Sequence, residues 1–235
     1  MNFFSNKITV PILITLLLIV LSCNNSETLK CEILIKNGVI YDGSGNESYN
    51  GVVAIKSDKI VYVGPSKQFE ADSIIDVNGM AIAPGFINML SWGYNSLLDD
   101  GRGLSDLIQG VTLEVFGEGT SPGPRGSKSN KTYISFKDAM EKLEKKGVST
   151  NIASYLGAAS VRIQVMGYKN KKASHEELKK MGEIVEEAMK DGAIGIGSSL
   201  IYAPGDYADT EELISLCRVA AKYDGRYISH MRNED

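Results

Sequence analysis

From residue 31 the chain alternates short apolar runs with polar turns, and it does so at two rhythms. Residues 31–82 carry closely spaced strand-type segments, among them Cys31-Glu32-Ile33-Leu34-Ile35-Lys36, Val39-Ile40-Tyr41, Gly51-Val52-Val53-Ala54-Ile55, Lys59-Ile60-Val61-Tyr62-Val63-Gly64 and Ser73-Ile74-Ile75-Asp76-Val77. Asn37-Gly38 is a strong hairpin signal between the first two. Ser57-Asp58 supplies another tight turn, and Asp42-Gly43-Ser44-Gly45 a longer one. Short strands at this spacing predict a small β-sandwich.

After residue 83 the rhythm changes to strands alternating with helices. Strands are predicted at 85–90, 112–117, 151–156, 193–200 and 226–230, with helices at 102–109, 135–146, 175–190 and 210–223. In the third helix Leu178, Met181, Ile184, Val185 and Ala188 recur at helical spacing. Ser135 with Asp138, and Thr210 with Leu213, mark helix starts, while Gly147, Gly192 and Gly225 close helices. Repeated βα units imply a parallel sheet with helices outside it, and eight such units would close a barrel. Five strands are countable here. The expected fold is therefore α/β, a small β-sandwich over 31–82 followed by an incomplete (β/α)8 TIM-type barrel over 83–235.

The first residues read differently. Lys7 precedes an apolar run over 8–21, broken by Thr9, Pro11 and Thr15, which is short for a membrane span of roughly 20 residues. It ends in Val20-Leu21-Ser22-Cys23 and Asn24-Asn25-Ser26, text that resembles a bacterial lipobox. Residues 1–22 are then a signal peptide, Cys23 carries lipid, and 23–30 form a tether. The expected location is the bacterial cell envelope, held to the membrane by a lipid anchor. A plain signal peptide or anchor with an incidental cysteine is the alternative. Of the remaining cysteines, Cys31 opens a strand and Cys217 lies in a helix, so both read as packed small apolar residues rather than a disulfide.

The formal net charge of −4 falls to about −5 once Lys7 is removed with the leader. That mild acidity argues against nucleic acid as a partner. The basic stretch at 169–172 is a solvated loop.

Only two histidines occur in the sequence. His230 stands at the carboxyl end of the last strand, where parallel α/β folds place ligands. The chain ends five residues later, as though cut through its own site. His175 instead follows a capping Ser174 and is expected in solvent. Glu118, between Gly117 and Gly119, follows the second strand of the alternating region; it is a metal ligand or a solvent-facing loop residue. Arg162, after the third strand, is a bidentate clamp for a substrate carboxylate or a surface arginine. Tyr202 lies on the loop after the fourth strand, facing the site or packing. The glycines of 192–197 leave a helix and enter a strand, the reverse of a dinucleotide-binding loop.

Several segments in order carry a wider likeness: 35–45, Ala83-Pro84-Gly85-Phe86-Ile87, Gly110-Val111-Thr112, 195–205 and His230-Met231-Arg232-Asn233-Glu234. Together they resemble the N-terminal part of the amidohydrolase superfamily, most closely its D-aminoacylase (N-acyl-D-amino-acid deacylase) branch. The resemblance implies a metal-dependent hydrolase acting on non-peptide carbon–nitrogen bonds, with a small N-acyl-D-amino acid as substrate. It also implies one divalent metal, expected to be zinc, held by Glu118, His230 and a histidine on a later strand. The catalytic aspartate would likewise lie beyond Asp235. The family's His-x-His pair on its first barrel strand corresponds to Leu90-Ser91-Trp92, and the preceding aspartate to Asn88. Its metal-binding cysteine after strand two corresponds to Glu118, and a histidine after strand three to Ala158. With those ligands missing, the rival reading is a lipid-anchored, non-catalytic binding protein with a decayed metal site.

Overall fold

The structure, a computed structural model, describes residues 28–127, 129 and 131–233. Residues 1–22, expected to be a signal peptide, and Cys23 lie outside the described residues. Two compact units divide between Pro84 and Gly85.

The first unit is one sheet. It contains β1 (Leu29–Ile40), β2 (Tyr49–Lys56), β3 (Lys59–Gly64), β4 (Phe69–Asp76) and β5 (Ala81–Ile82), in the order β3-β2-β1-β4 with β5 also on β1. The pairs β1–β2 and β2–β3 are antiparallel, whereas β4 and β5 run parallel to β1. Ser57 takes a positive φ of 55° in the two-residue turn between β2 and β3. Cys31, Leu34, Val52 and Ala54 bury their side chains together, with Tyr62, Phe69 and Ala71 packed against them.

The hairpin expected at Asn37-Gly38 does not form. β1 runs straight through, with its register on β2 shifting between Ile35 and Gly38. Asn37 adopts φ 59° as a bulge, and its Nδ2 donates to Asp76 Oδ2 at 2.8 Å. The reason is non-local: β4 pairs with the first half of β1 and β5 with the second, so continuing satisfies more backbone than turning back. Gly38 is needed there, because a Cβ would lie 2.2 Å from the Ile82 side chain.

The second unit carries β6 (Phe86–Asn88), β7 (Val111–Phe116), β8 (Asn151–Ser154), β9 (Leu156–Gly157), β10 (Gly195–Ser199) and β11 (Arg226–His230). Every pairing is parallel. β8 joins β7 and β9 joins β10, and only Tyr155 separates β8 from β9. Backbone bonds from Tyr155 N to Phe116 O (2.9 Å) and from Ile194 N to Ser154 O (3.0 Å) span that break. The strands therefore lie side by side in chain order, as βα repetition requires.

Among the described residues, six α-helices fill the connections: α1 (Tyr94–Asp99), α2 (Leu104–Ile108), α3 (Phe136–Lys146), α4 (Ala158–Met166), α5 (His175–Lys190) and α6 (Thr210–Ala220). α3 buries Phe136, Ala139 and Leu143 on one side, and α5 buries Met181, Val185, Ala188 and Met189. These spacings keep to one helical face. Leu156, Val161, Met181, Val185, Ile196 and Leu216 form the centre of the larger core. Each fully buried aliphatic side chain contributes roughly 1.5–3 kcal/mol.

Capping boxes start α3, where Ser135 and Asp138 bond reciprocally, and α5, where Ser174 and Glu177 do so. His175 is exposed behind Ser174. The cap of α6 is Asp209 rather than Thr210: Asp209 Oδ1 accepts from Glu212 N at 2.9 Å. Both Cys31 and Cys217 are free thiols, and burial pushes the pKa of each up.

Candidate metal centre

The carboxyl ends of β7, β9, β10 and β11 gather around one glycine-rich turn. After Phe116 the chain passes Gly117 (φ 97°), Glu118 and Gly119 (φ 81°). A Cβ on Gly117 would stand 2.0 Å from the Tyr155 carbonyl oxygen, and one on Gly119 2.6 Å from Ser199 Cβ. A Cβ on Gly197 would be 2.1 Å from the Gly117 carbonyl oxygen. Three missing side chains thus let the turn lie directly against the neighbouring strands, which fixes the backbone that carries Glu118. The close approach is made by the Tyr155 and Gly117 carbonyls and by Ser199 Cβ.

β11 brings the second residue. Its register on β10 sets His230 opposite Ser199, and Leu200 N donates to the His230 carbonyl at 3.0 Å. His230 Nδ1 then lies 3.7 Å from Glu118 Oε2, with the side chains 24% and 13% exposed. The Tyr202 ring stands edge-on to the imidazole, centroids 5.7 Å apart, while the tyrosine itself is largely exposed. Arg232 holds the loop that follows Tyr202, donating from Nη1 to Asp206 O (2.6 Å) and from Nη2 to Ala208 O (2.8 Å). A carboxylate and an imidazole converging in a half-buried site suit a divalent cation such as zinc. Among the described residues, no group of three or more His, Cys, Asp and Glu assembles.

The end of β6 offers no ligand. Leu90 and Trp92 are exposed and have no atom to coordinate a cation. Asn88 is engaged locally, its Nδ2 donating to Asp106 Oδ1 at 3.0 Å and its Oδ1 accepting from Leu90 N at 3.2 Å. Between Leu90 and Trp92, Ser91 Oγ donates to Glu114 Oε2 at 2.6 Å, and Thr150 Oγ1 donates to Glu114 Oε1 at 2.8 Å. Glu114 is 1% exposed and ties the β6 loop to the start of β8. This network was not foreseen from the sequence; its one signal is a glutamate inside the apolar strand text Val111-Thr112-Leu113-Glu114-Val115-Phe116.

Arg162 is not a substrate clamp. The segment after strand three is helix α4, and Arg162 is 1% exposed within it, neither open to a ligand nor on the surface. Its Nη1 donates to Glu212 Oε2, and its Nη2 donates to Lys171 O (2.5 Å) and Lys169 O (3.3 Å). Burial pushes the Glu212 carboxyl up, with the Arg162 contact opposing it. The guanidinium is consumed inside the helix layer. Of the four residues expected at the site, the fold brings together Glu118, His230 and Tyr202 and sends Arg162 elsewhere.

No family model matches the chain. Among curated proteins, the D-aminoacylase of Alcaligenes xylosoxydans xylosoxydans is 30% identical over 224 residues, covering 90% of this chain and 46% of that protein. A solved D-aminoacylase described as having a binuclear metal centre superposes with a TM-score of 0.79 at 29% identity, over 87% of this chain and 46% of that one. The N-acyl-D-glutamate deacylase from Bordetella bronchiseptica, complexed with zinc and a phosphonate mimic of the tetrahedral intermediate, gives 0.78 at 26% identity with the same coverage. The chain spans about half the length of these curated relatives. On sequence and fold together, this chain matches the N-terminal part of the amidohydrolases, in the branch of the D-aminoacylases.

Proposed function

We propose that this chain supplies the first five strands of a (β/α)8 barrel, preceded by the mixed sheet of β1–β5, in a hydrolase that cleaves the amide of an N-acyl-D-amino acid. The observation that carries the reading is the meeting of Glu118 and His230. They are far apart in sequence and come to 3.7 Å at the carboxyl ends of two strands, where such barrels do their chemistry. The D-aminoacylase and deacylase relatives support the substrate class.

Glu118 and His230 would hold one divalent cation, with zinc suited to the donor set. Bound there, the cation supplies Lewis acidity and lowers the pKa of water towards neutrality. Glu118 brings the anionic oxygen and His230 the neutral nitrogen. Tyr202 places a phenol at the mouth of the site, within reach of a polar group on the substrate. The exposed, ligand-free ends of Leu90 and Trp92 fit one metal position rather than two.

Zinc titration of the full-length protein, with metal content measured in parallel, tests this. One equivalent is expected, and Glu118→Gln or His230→Ala should each weaken binding by about tenfold or more, which is ~1.4 kcal/mol or more. Release of D-amino acid from N-acyl-D-amino acids, measured in the full product of the gene, should fall with both variants. Unchanged zinc binding and deacylation after His230→Ala would sink the reading. Two tightly bound equivalents would show that the β6 end holds metal despite Leu90 and Trp92.

A further inference from the structure

A cavity of about 170 Å³ opens beside the candidate centre, walled by residues that follow β6, by α1, by the end of β7 and by the loop over 120–125. Gly117, the residue before Glu118, forms part of its wall. The chemically informative lining residues are Trp92, Tyr94, Asn95, Phe116, Thr120 and Arg125. Arg125 is half-buried, and its guanidinium carbon lies 4.9 Å from the centre of the Tyr94 ring. Tyr94 cannot swing away: its hydroxyl donates to Ala139 O at 3.2 Å, and its ring meets Phe116 edge-on at 6.4 Å. The guanidinium is thus held by cation–π contact on a fixed aromatic face.

What Arg125 lacks is an anion. Arg102 is paired with Asp100 and Arg162 with Glu212, but among the described residues no carboxylate lies within ion-pairing distance of Arg125. Two buried or half-buried glutamates of the same strand region are engaged elsewhere, Glu118 facing His230 and Glu114 accepting from Ser91 and Thr150. A partly desolvated guanidinium gains most from a carboxylate, which it can take bidentately. The rest of the cavity is apolar on the side of Trp92 and Phe116 and offers the Asn95 amide and Thr120 hydroxyl as further polar groups.

We propose that this cavity is a subsite for a small apolar carboxylate, with the carboxylate on Arg125 and its hydrocarbon part against Trp92 and Phe116. The subsite stands beside the centre assigned above and deepens that reading by naming an acidic, apolar ligand group. Its binding does not depend on metal.

The chain contains a single tryptophan, so its fluorescence reports Trp92 alone. Hexanoate titrated into the full chain without zinc should change that fluorescence saturably, and hexanamide, which lacks the charge, should bind at least about tenfold more weakly. Arg125→Gln should weaken hexanoate at least about tenfold, with hexanamide unaffected; Arg125→Lys should retain part of the difference. Circular dichroism of both variants shows whether they fold. Equal binding of hexanoate and hexanamide, equal binding by native and folded Arg125→Gln or Arg125→Lys chains, or no saturable change would overturn the subsite. Because zinc is absent, failure here leaves the Glu118–His230 centre standing, and failure of the zinc titration leaves this result standing.

Discussion

Arg162 and Glu212 show what a single charged residue can conceal. Both are 1% exposed, and each has the other as its ionic partner. Taking two charges out of water costs several kcal/mol per ion, which their attraction only partly returns. Glu212→Leu should therefore destabilise the chain by about 3–5 kcal/mol, since it strands the guanidinium. Arg162→Met with Glu212→Leu should recover part of that loss, less what the Lys169 and Lys171 carbonyls forfeit as acceptors. Denaturant unfolding of the two variants against the native chain measures it; a double variant no more stable than Glu212→Leu would show that the stranded charge is not the main term. The sequence hid this pair because Arg162 follows a strand and shows no partner nearby, whereas Glu212 lies on another helix. Glu118 is the opposite case. The sequence left it open as a metal ligand or a solvent-facing loop residue, and the fold placed it, largely buried, beside His230.

At the scale of elements, the amphipathic helices were legible and the buried ones were not. α5 was bounded at His175–Lys190 because its apolar face repeats at helical spacing and a capping residue precedes it. α4 was missed because residues 158–162 are buried on every side, so no polar face marks the period. α1 is six residues long, too short to display one. The start of α5 also sets an acid sensitivity. Glu177 is lowered from 4.5 to about 2, first by Lys171, then by the amide and hydroxyl of Ser174. A lowered carboxyl stabilises the folded chain above its unfolded pKa and loses that contribution as pH falls through the folded one. The Glu177 contribution should thus be complete above about pH 4.5 and vanish towards about pH 2. Glu177→Gln should flatten the part of the stability–pH curve in that window, and Ser174→Ala should cost about 1 kcal/mol at neutral pH. An unchanged acid limb in Glu177→Gln would assign the sensitivity to other carboxylates.

At the scale of the whole molecule, two units of different grammar follow one another, an open mixed sheet and a run of parallel βα units. Among the described residues no helix is long and apolar enough to cross a membrane. We propose that attachment, where it occurs, is through lipid on Cys23. Metabolic labelling with a fatty acid should mark the native chain and fail to mark Cys23→Ala; labelling of the variant would remove the proposal.

What the sequence by itself determined was the kind of each regular element with an exposed face, the change of rhythm near residue 83, and the residue types able to bind a cation. Those are local properties: a period, a cap, a glycine pair, a histidine at the end of an apolar run. The tertiary structure alone decided three other things. It carried β1 straight through Asn37-Gly38, because β4 and β5, distant in the chain, compete for its hydrogen bonds. It buried Arg162 against Glu212 instead of offering it to a ligand. It also brought Glu118 to His230, through a parallel register in which Gly117, Gly119 and Gly197 leave room for one backbone to lie on the next. Each outcome depends on which long-range partner wins a backbone group, a charge or a volume, and no window of neighbouring residues contains that competition.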